Sequence, residues 1–305
     1  MPIRPEPAPE LAKLPIALAC MALAIALAGC ATSPTTSDAA DATAPPPVLR
    51  DLANGLPGDY LTPERAEQPS RLHLRVSTDQ SAPDPTTLRL IMTQRQLDQP
   101  DQPPRRFQWQ LQTDPDNSGG LKGHFAPLDE TGEVRRHCDL TVSVRRDGIS
   151  SHTSPTQCHF GSGEQQTGLL KEIAFDGSQL VIGDRLKQLP SGEPVGEDQI
   201  LRFMRQAGFS GWAGVRDGQT WRSASTFTLQ TGAGHITPTD VADMDLGFDV
   251  GITHYEMSRD NRIKLRMTVT DTETGEIIGE SWADADAEAV GLALPDLQIG
   301  LERIQ

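Results

Sequence analysis

From Leu72 onward, apolar and polar residues alternate with a period of two. Leu72, Leu74 and Val76 share one face of an extended segment, as do Leu88, Leu90 and Met92, and Phe107, Trp109 and Leu111. Cys138, Leu140, Val142 and Val144 continue the pattern, which turns Cys138 toward a core. Successive side chains of a strand point to opposite faces, so this spacing suits half-buried strands and not helices. Gly, Pro and Asp stand between the segments, which predicts antiparallel pairing. Asp176-Gly177 is a strong two-residue hairpin signal. The returning row is Leu180, Ile182, Asp184 and Leu186, so Asp184 is a carboxylate among apolar neighbours.

A second series follows. Trp221, Phe227 and Leu229 fall on one strand, and Leu246, Phe248, Val250, Ile252 and His254 alternate. Ile263, Leu265, Met267 and Val269 alternate as well, and Thr274-Gly275 turns the chain back toward Ile278 and Trp282. Trp212, Trp221 and Trp282 are expected in the core of this second module. Residues 200–204 fit strand or helix. Residues 48–56 fit a short amphipathic helix, with Leu49, Leu52 and Leu56 on one side, and Thr62-Pro63 can open a further turn. With no long helix and no βαβ rhythm, the fold class is mainly β.

The N-terminus carries a different signal. Residues 14–28 are an apolar run of Leu, Ile, Ala and Met that ends in Leu27-Ala28-Gly29-Cys30. The run is short of the roughly 20 residues that a spanning helix needs. Leu27 to Cys30 resembles the lipobox of bacterial lipoprotein signal peptides. That resemblance implies removal of residues 1–29, a lipid on Cys30 and anchoring in the cell envelope. Ala31 after the cysteine implies sorting to the outer membrane, facing the periplasm. Residues 31–47 contain no large apolar side chain and read as a disordered tether.

The chain has 27 Lys and Arg against 42 Asp and Glu, a net charge of -15. Such acidity excludes docking on nucleic acid or on anionic lipid through a basic face. Cys138 and Cys158 are the only thiols of the folded part, and in an oxidising compartment two such cysteines form a bridge. Closing that loop is worth about 3 kcal/mol in the chain-entropy model. The seven histidines show no paired ligand spacing, so no metal site is assigned; His152 and His159 only flank the bridge. Neither a nucleophile elbow nor a phosphate loop is present.

The middle of the chain resembles the CpcT/CpeT-type phycobiliprotein chromophore lyase family. Residues 52–60 (LANGLPGDY) are similar to its opening Leu-x-x-Trp-Leu-x-Gly-x-Phe, and His73 to Val76 to its His-x-Arg-Val strand. Cys138-Asp139 matches a Gly-Cys-Asp segment, and residues 149–158 a stretch ending in Cys. Glu172 falls on a Ser-Glu strand, residues 180–185 on Leu-x-Ser-Trp-Asp-Arg, Gly192, Val195 and Gly196 on a Gly-x-x-Val-Trp-Gly turn, and Phe203 and Arg205 on a closing Phe-x-Arg. The order and spacing carry the resemblance, over residues 49–205. The chain departs from it at Gly55, Gly183 and the 192–196 turn, where the family has Trp.

The resemblance implies a calycin or lipocalin-like antiparallel barrel. It also implies a small-molecule ligand of the bilin or tetrapyrrole class, with Arg75, Glu172, Asp184 and Arg185 as candidate binding residues. The expected organisation is a signal peptide (1–29), a lipidated Cys30 and tether (30–48), the barrel (49–205) and a smaller β-rich C-terminal module (206–305). Three functions follow: an envelope lipoprotein that binds a small apolar or tetrapyrrole-like ligand, a lyase or chaperone that attaches a bilin to protein cysteines, and a structural lipoprotein with a filled barrel. No catalytic residue is assigned.

Overall fold

The computed structural model describes residues 45–304, except 67–69, 82–83, 118, 135, 147 and 190. The signal peptide, Cys30 and most of the tether lie outside the described residues. Helix α1 (Pro47–Gly55) starts with Pro at its first turn, where a missing N–H costs nothing. Its apolar stripe, Leu49 and Leu52 with Leu56 just beyond, is buried. Each such leucine contributes about 2 kcal/mol.

The alternating segments form a ring. Its strands are β1 (Gly58–Leu61), β2 (Leu72–Thr78), β3 (Thr87–Gln96), β4 (Arg105–Thr113), β5 (Leu121–Pro127) and β6 (Cys138–Arg145). β7 (Gly148–Thr153), β8 (His159–Phe160), β9 (Thr167–Phe175), β10 (Gln179–Gln188) and β11 (Gln199–Arg205) follow. Neighbours pair antiparallel, β7 passes directly to β9, and β11 returns to β1. Ten strands thus close a barrel, with β8 as a short outer addition to β9. The expected calycin-like barrel is therefore present, and residues 200–204 are strand. The β9–β10 hairpin forms one residue later than expected: Asp176 N–H bonds Gln179 C=O, so Gly177 and Ser178 make the loop. Gly177 has φ +95°, and the Asp176 carboxylate accepts from Ser178 and Gln179 N–H.

The bore is filled. Tyr60, Leu74, Leu90, Met92, Trp109, Leu111, Ile173, Leu180 and Phe203 have 0% exposure, so no water-sized hollow touches them. The α1 leucines join this cluster and cap the end where β1 begins.

The second module holds two four-stranded antiparallel sheets. One is built from β12 (Gly208–Asp217), β13 (Thr220–Gln230), β18 (Ala289–Leu294) and β19 (Leu297–Arg303). The other has β14 (His235–Ile236), β15 (Phe248–Glu256), β16 (Ile263–Asp271) and β17 (Ile277–Asp284). Both contribute to one core, including Phe209, Phe227, Phe248, Met267 and Ile299. The tryptophans are not in it: Trp212, Trp221 and Trp282 are 47%, 44% and 43% exposed. Trp221 faces outward because β13 carries an extra residue between Ala224 and Phe227 relative to β12, which reverses the alternation. Trp212 and Trp221 instead lie against Gly300 and Gly214 of the outer face.

Thr62-Pro63 does not open a helical turn. The segment stays extended because Glu64 bridges to β15, its N–H on His254 C=O and its own C=O taken by Glu256 N–H, both at 2.8 Å. Residues 43–305 form one compact unit.

At this junction His254 is 5% exposed, and burial pushes its pKa down to about 4, with Arg303 and Arg71 adding to the shift. The unfolded chain takes up that proton below about pH 6.5, whereas the folded chain refuses it until about pH 4. Stability is therefore lost as pH falls through that window. Between pH 7 and pH 5 the unfolding free energy should drop by about 2 kcal/mol more in the native protein than in His254→Asn, as read from urea titrations at both pH values.

Candidate functional site

Burial alternation along β9 and β10 decides which charges face the bore. On β9 the inward row is Lys171, Ile173 and Phe175; on β10 it is Leu180, Ile182 and Asp184. Asp184 is paired across the hairpin with Lys171. The Lys171 ammonium donates to Asp184 Oδ2 at 2.9 Å and lies 2.8 Å from Oδ1. It also sits 4.5 Å from the ring centre of Phe125 and 5.6 Å from that of Phe107. Those two rings stack with centroids 5.4 Å apart. β4 and β5 position them, since Phe107 continues the inward row of Trp109 and Leu111, and Phe125 stands opposite Trp109.

This cluster occupies the end of the bore opposite α1. The Lys171 side chain is 6% exposed and that of Asp184 is 37% exposed, so solvent meets the inward face at the carboxylate. Burial pulls the Lys171 pKa below its usual value, and Asp184 counteracts this by charge and hydrogen bond. The arrangement is a buried ammonium, its partly exposed carboxylate partner and two stacked rings at one end of the bore.

The other candidate residues lie elsewhere. Glu172 and Arg185 pair at 2.8 Å on the outside of the same hairpin, where Arg185 also reaches Asp198 at 3.4 Å. Arg75 is exposed on the outer face of β2, beside the His73–Asp59 contact of 2.9 Å on that face. Of the four, only Asp184 belongs to the inner cluster. Gly183 is outward too: a side-chain carbon there would meet the Glu172 carboxylate at 3.3 Å. A large side chain at this position, such as the Trp of the pattern that residues 180–185 resemble, would thus lie outside the bore.

Cys138 and Cys158 are disulfide-bonded, with Cα atoms 5.1 Å apart and both residues buried. The bond ties the start of β6 to the segment before β8. Thr153 reinforces it, accepting Lys171 N–H and donating to Leu169 C=O. Sequence reasoning missed Lys171, Phe107 and Phe125 as site residues, although Lys171 interrupts an apolar row just as Asp184 does. No protein-family model matches the chain, and no curated protein matches it. Among the described residues no helix is long and apolar enough to cross a membrane.

Removing one partner tests the pair. Asp184→Ala leaves Lys171 buried without its counter-ion and should cost about 2 kcal/mol at pH 7, discounted for the exposure of Asp184. The deficit should shrink as pH rises toward the ordinary lysine range, because burial lowers the Lys171 pKa and the folded chain gives up this proton before the unfolded chain does. Replacing both residues by Met and Leu should cost less than Asp184→Ala alone. Urea unfolding of the three variants measures all of this.

Proposed function

We propose that the chain is a lipid-anchored envelope protein whose chromophore-lyase-like barrel binds a small, flat, acid-bearing molecule at its Lys171 rim. The observation that carries this reading is the inward Lys171–Asp184 pair beside the stacked Phe107 and Phe125 rings, at the end of the bore that solvent reaches. A charge pair withdrawn from water adds little net stability compared with apolar packing, so its placement among aromatic rings suits recognition better than folding. The ligand sits on the rim, because the filled bore leaves no room for an enclosed one. A tetrapyrrole has the required flat body and carboxylate arms, and the resemblance of residues 49–205 to bilin lyases supports that class. The lipobox-like residues 27–30 support anchoring through Cys30 at the outer membrane, facing the periplasm.

A second reading is a structural lipoprotein with no ligand, and the solid core favours it. A third, transfer of a bilin to cysteines of another protein, adds a covalent step to the first reading and requires a coloured product on an acceptor.

Biliverdin titrated into the full-length protein in detergent separates them. Rim binding predicts a saturable visible-absorbance change at micromolar ligand, weakened about ten-fold by Lys171→Met and unchanged by the outward Arg75→Ala. Absence of saturation removes the tetrapyrrole reading and leaves the structural one.

Anchoring has its own test. Cells fed an alkyne-tagged fatty acid should label the native protein and not Cys30→Ser, which should also leave the membrane fraction. Equal labelling of the two would exclude Cys30 as the attachment point.

A further inference from the structure

The outer face of the barrel carries a cluster that spacing along the chain conceals. Cys138 points inward to its disulfide, so its neighbours His137 and Asp139 both project outward from the start of β6. β5 pairs with β6 so that His124 stands directly opposite Asp139. His124 Nδ1 lies 2.9 Å from Asp139 Oδ1, and His137 Nε2 lies 3.8 Å from the same oxygen. The two imidazoles meet edge to face with centroids 5.0 Å apart. One ligand atom from each residue falls within 4.8 Å of the others.

We propose that His124, His137 and Asp139 bind a divalent transition ion of the zinc class. Bonds of about 2.0–2.1 Å in a tetrahedral site put neighbouring ligand atoms about 3.3 Å apart, and the 2.9 and 3.8 Å separations bracket that value. Small side-chain rotations therefore assemble the set without moving a strand. Two imidazoles and one carboxylate select zinc, cobalt, nickel or copper over calcium and magnesium, which prefer oxygen. The side chains of His124, His137 and Asp139 are 30%, 58% and 64% exposed, so an ion can enter from solvent. The fourth position opens on a groove of about 500 Å³ that both histidines line together with Asp79, Arg89, Gln108 and Gln110. Arg89 is engaged with Asp79 at 3.5 Å, so its charge is partly balanced beside the ion. The disulfide fixes the backbone between two of the three ligands, which reduces the ordering cost of binding.

The test uses full-length, tag-free protein in detergent after removal of metal by a chelator. Zinc is titrated by calorimetry and cobalt by visible absorbance. One ion per chain is expected, with the cobalt bands of a site containing imidazole nitrogen. His124→Asn and His137→Asn should each weaken binding about ten-fold or more, while the distant His235→Asn leaves it unchanged. Unfolding midpoints measured in chelator should be the same for all three variants, which separates ligand loss from misfolding. Failure to saturate below about 1 mM ion, or equal weakening by His235→Asn, overturns the proposal.

Discussion

Closure of the barrel depends on one short strand having two partners. β1 has four residues, pairs along its whole length with β2, and meets β11 only through Tyr60–Arg205 and Leu61–Met204. Side chains make up for the short ladder. The Tyr60 hydroxyl donates to Leu56 C=O at 2.7 Å and accepts from Arg205 Nη2 at 2.7 Å. Arg205 also donates to the carbonyls of Gly55 and Pro57 and lies over the Tyr60 ring. One guanidinium thus joins the end of α1, the entry to β1 and the end of β11. Burial raises the Tyr60 pKa to about 12, which keeps the hydroxyl a neutral donor. Gly58 makes room for this clasp, since a side-chain carbon there would stand 3.0 Å from Arg205 Nη1. The opening and closing segments of the family resemblance, around residues 52–60 and 203–205, meet in this seam.

A closed ring of ten strands could enclose a ligand, and this one encloses its own side chains. Trp109, Met92, Tyr60 and Phe203 fill the middle, and Leu49 and Leu52 of α1, with Leu56 just beyond it, stop one end. What remains for chemistry is the rim and the outside. The Lys171–Asp184 pair marks the rim because it is the point where the apolar lining gives way to charge before solvent begins. The His124–His137–Asp139 cluster marks the outside, on the face of the same two strands, β5 and β6, whose inner face carries Phe125 and the disulfide.

The strands were legible because alternation is a local property, and the barrel rows 72–76, 88–92, 107–111, 138–142 and 180–184 hold their faces. Register is not local, and the site depends on register. Placing the hairpin loop at Asp176-Gly177 would set Asp184 opposite Leu169; placing it at Gly177-Ser178 sets Asp184 opposite Lys171, as observed. A one-residue displacement of the turn therefore separates an unpaired carboxylate from an ion pair. The same limit explains Trp221, whose face is reversed by a bulge that the sequence does not mark. It also explains His124 and Asp139, fifteen residues apart in the chain and adjacent only through strand pairing. Arg75, Glu172 and Arg185 illustrate the converse: a charge that matches a family pattern carries no information about the face on which it lies.

The second module has a mechanical place in this scheme. Leu61 and Met204 lie on the outer side of the seam, yet they are only 5% exposed. The second module covers them. Gly232, with φ +74°, approaches so closely that a side-chain carbon would meet Leu61 at 2.5 Å and Arg71 at 2.6 Å. Around that contact Glu64 adds a strand bridge to β15 and accepts from Arg71 at 3.1 Å and Arg266 at 2.6 Å. Arg202 donates to Asn261 C=O, and Gln206 to Thr231 C=O. Two of the barrel strands with the fewest mutual hydrogen bonds are thus backed by an apolar contact, the Glu64–Arg266 ion pair and hydrogen bonds to residues beyond 206. A barrel cut off after Arg205 would expose Leu61 and Met204 and leave Glu64 without Arg266, so the seam and the second module stabilise each other as one folding unit.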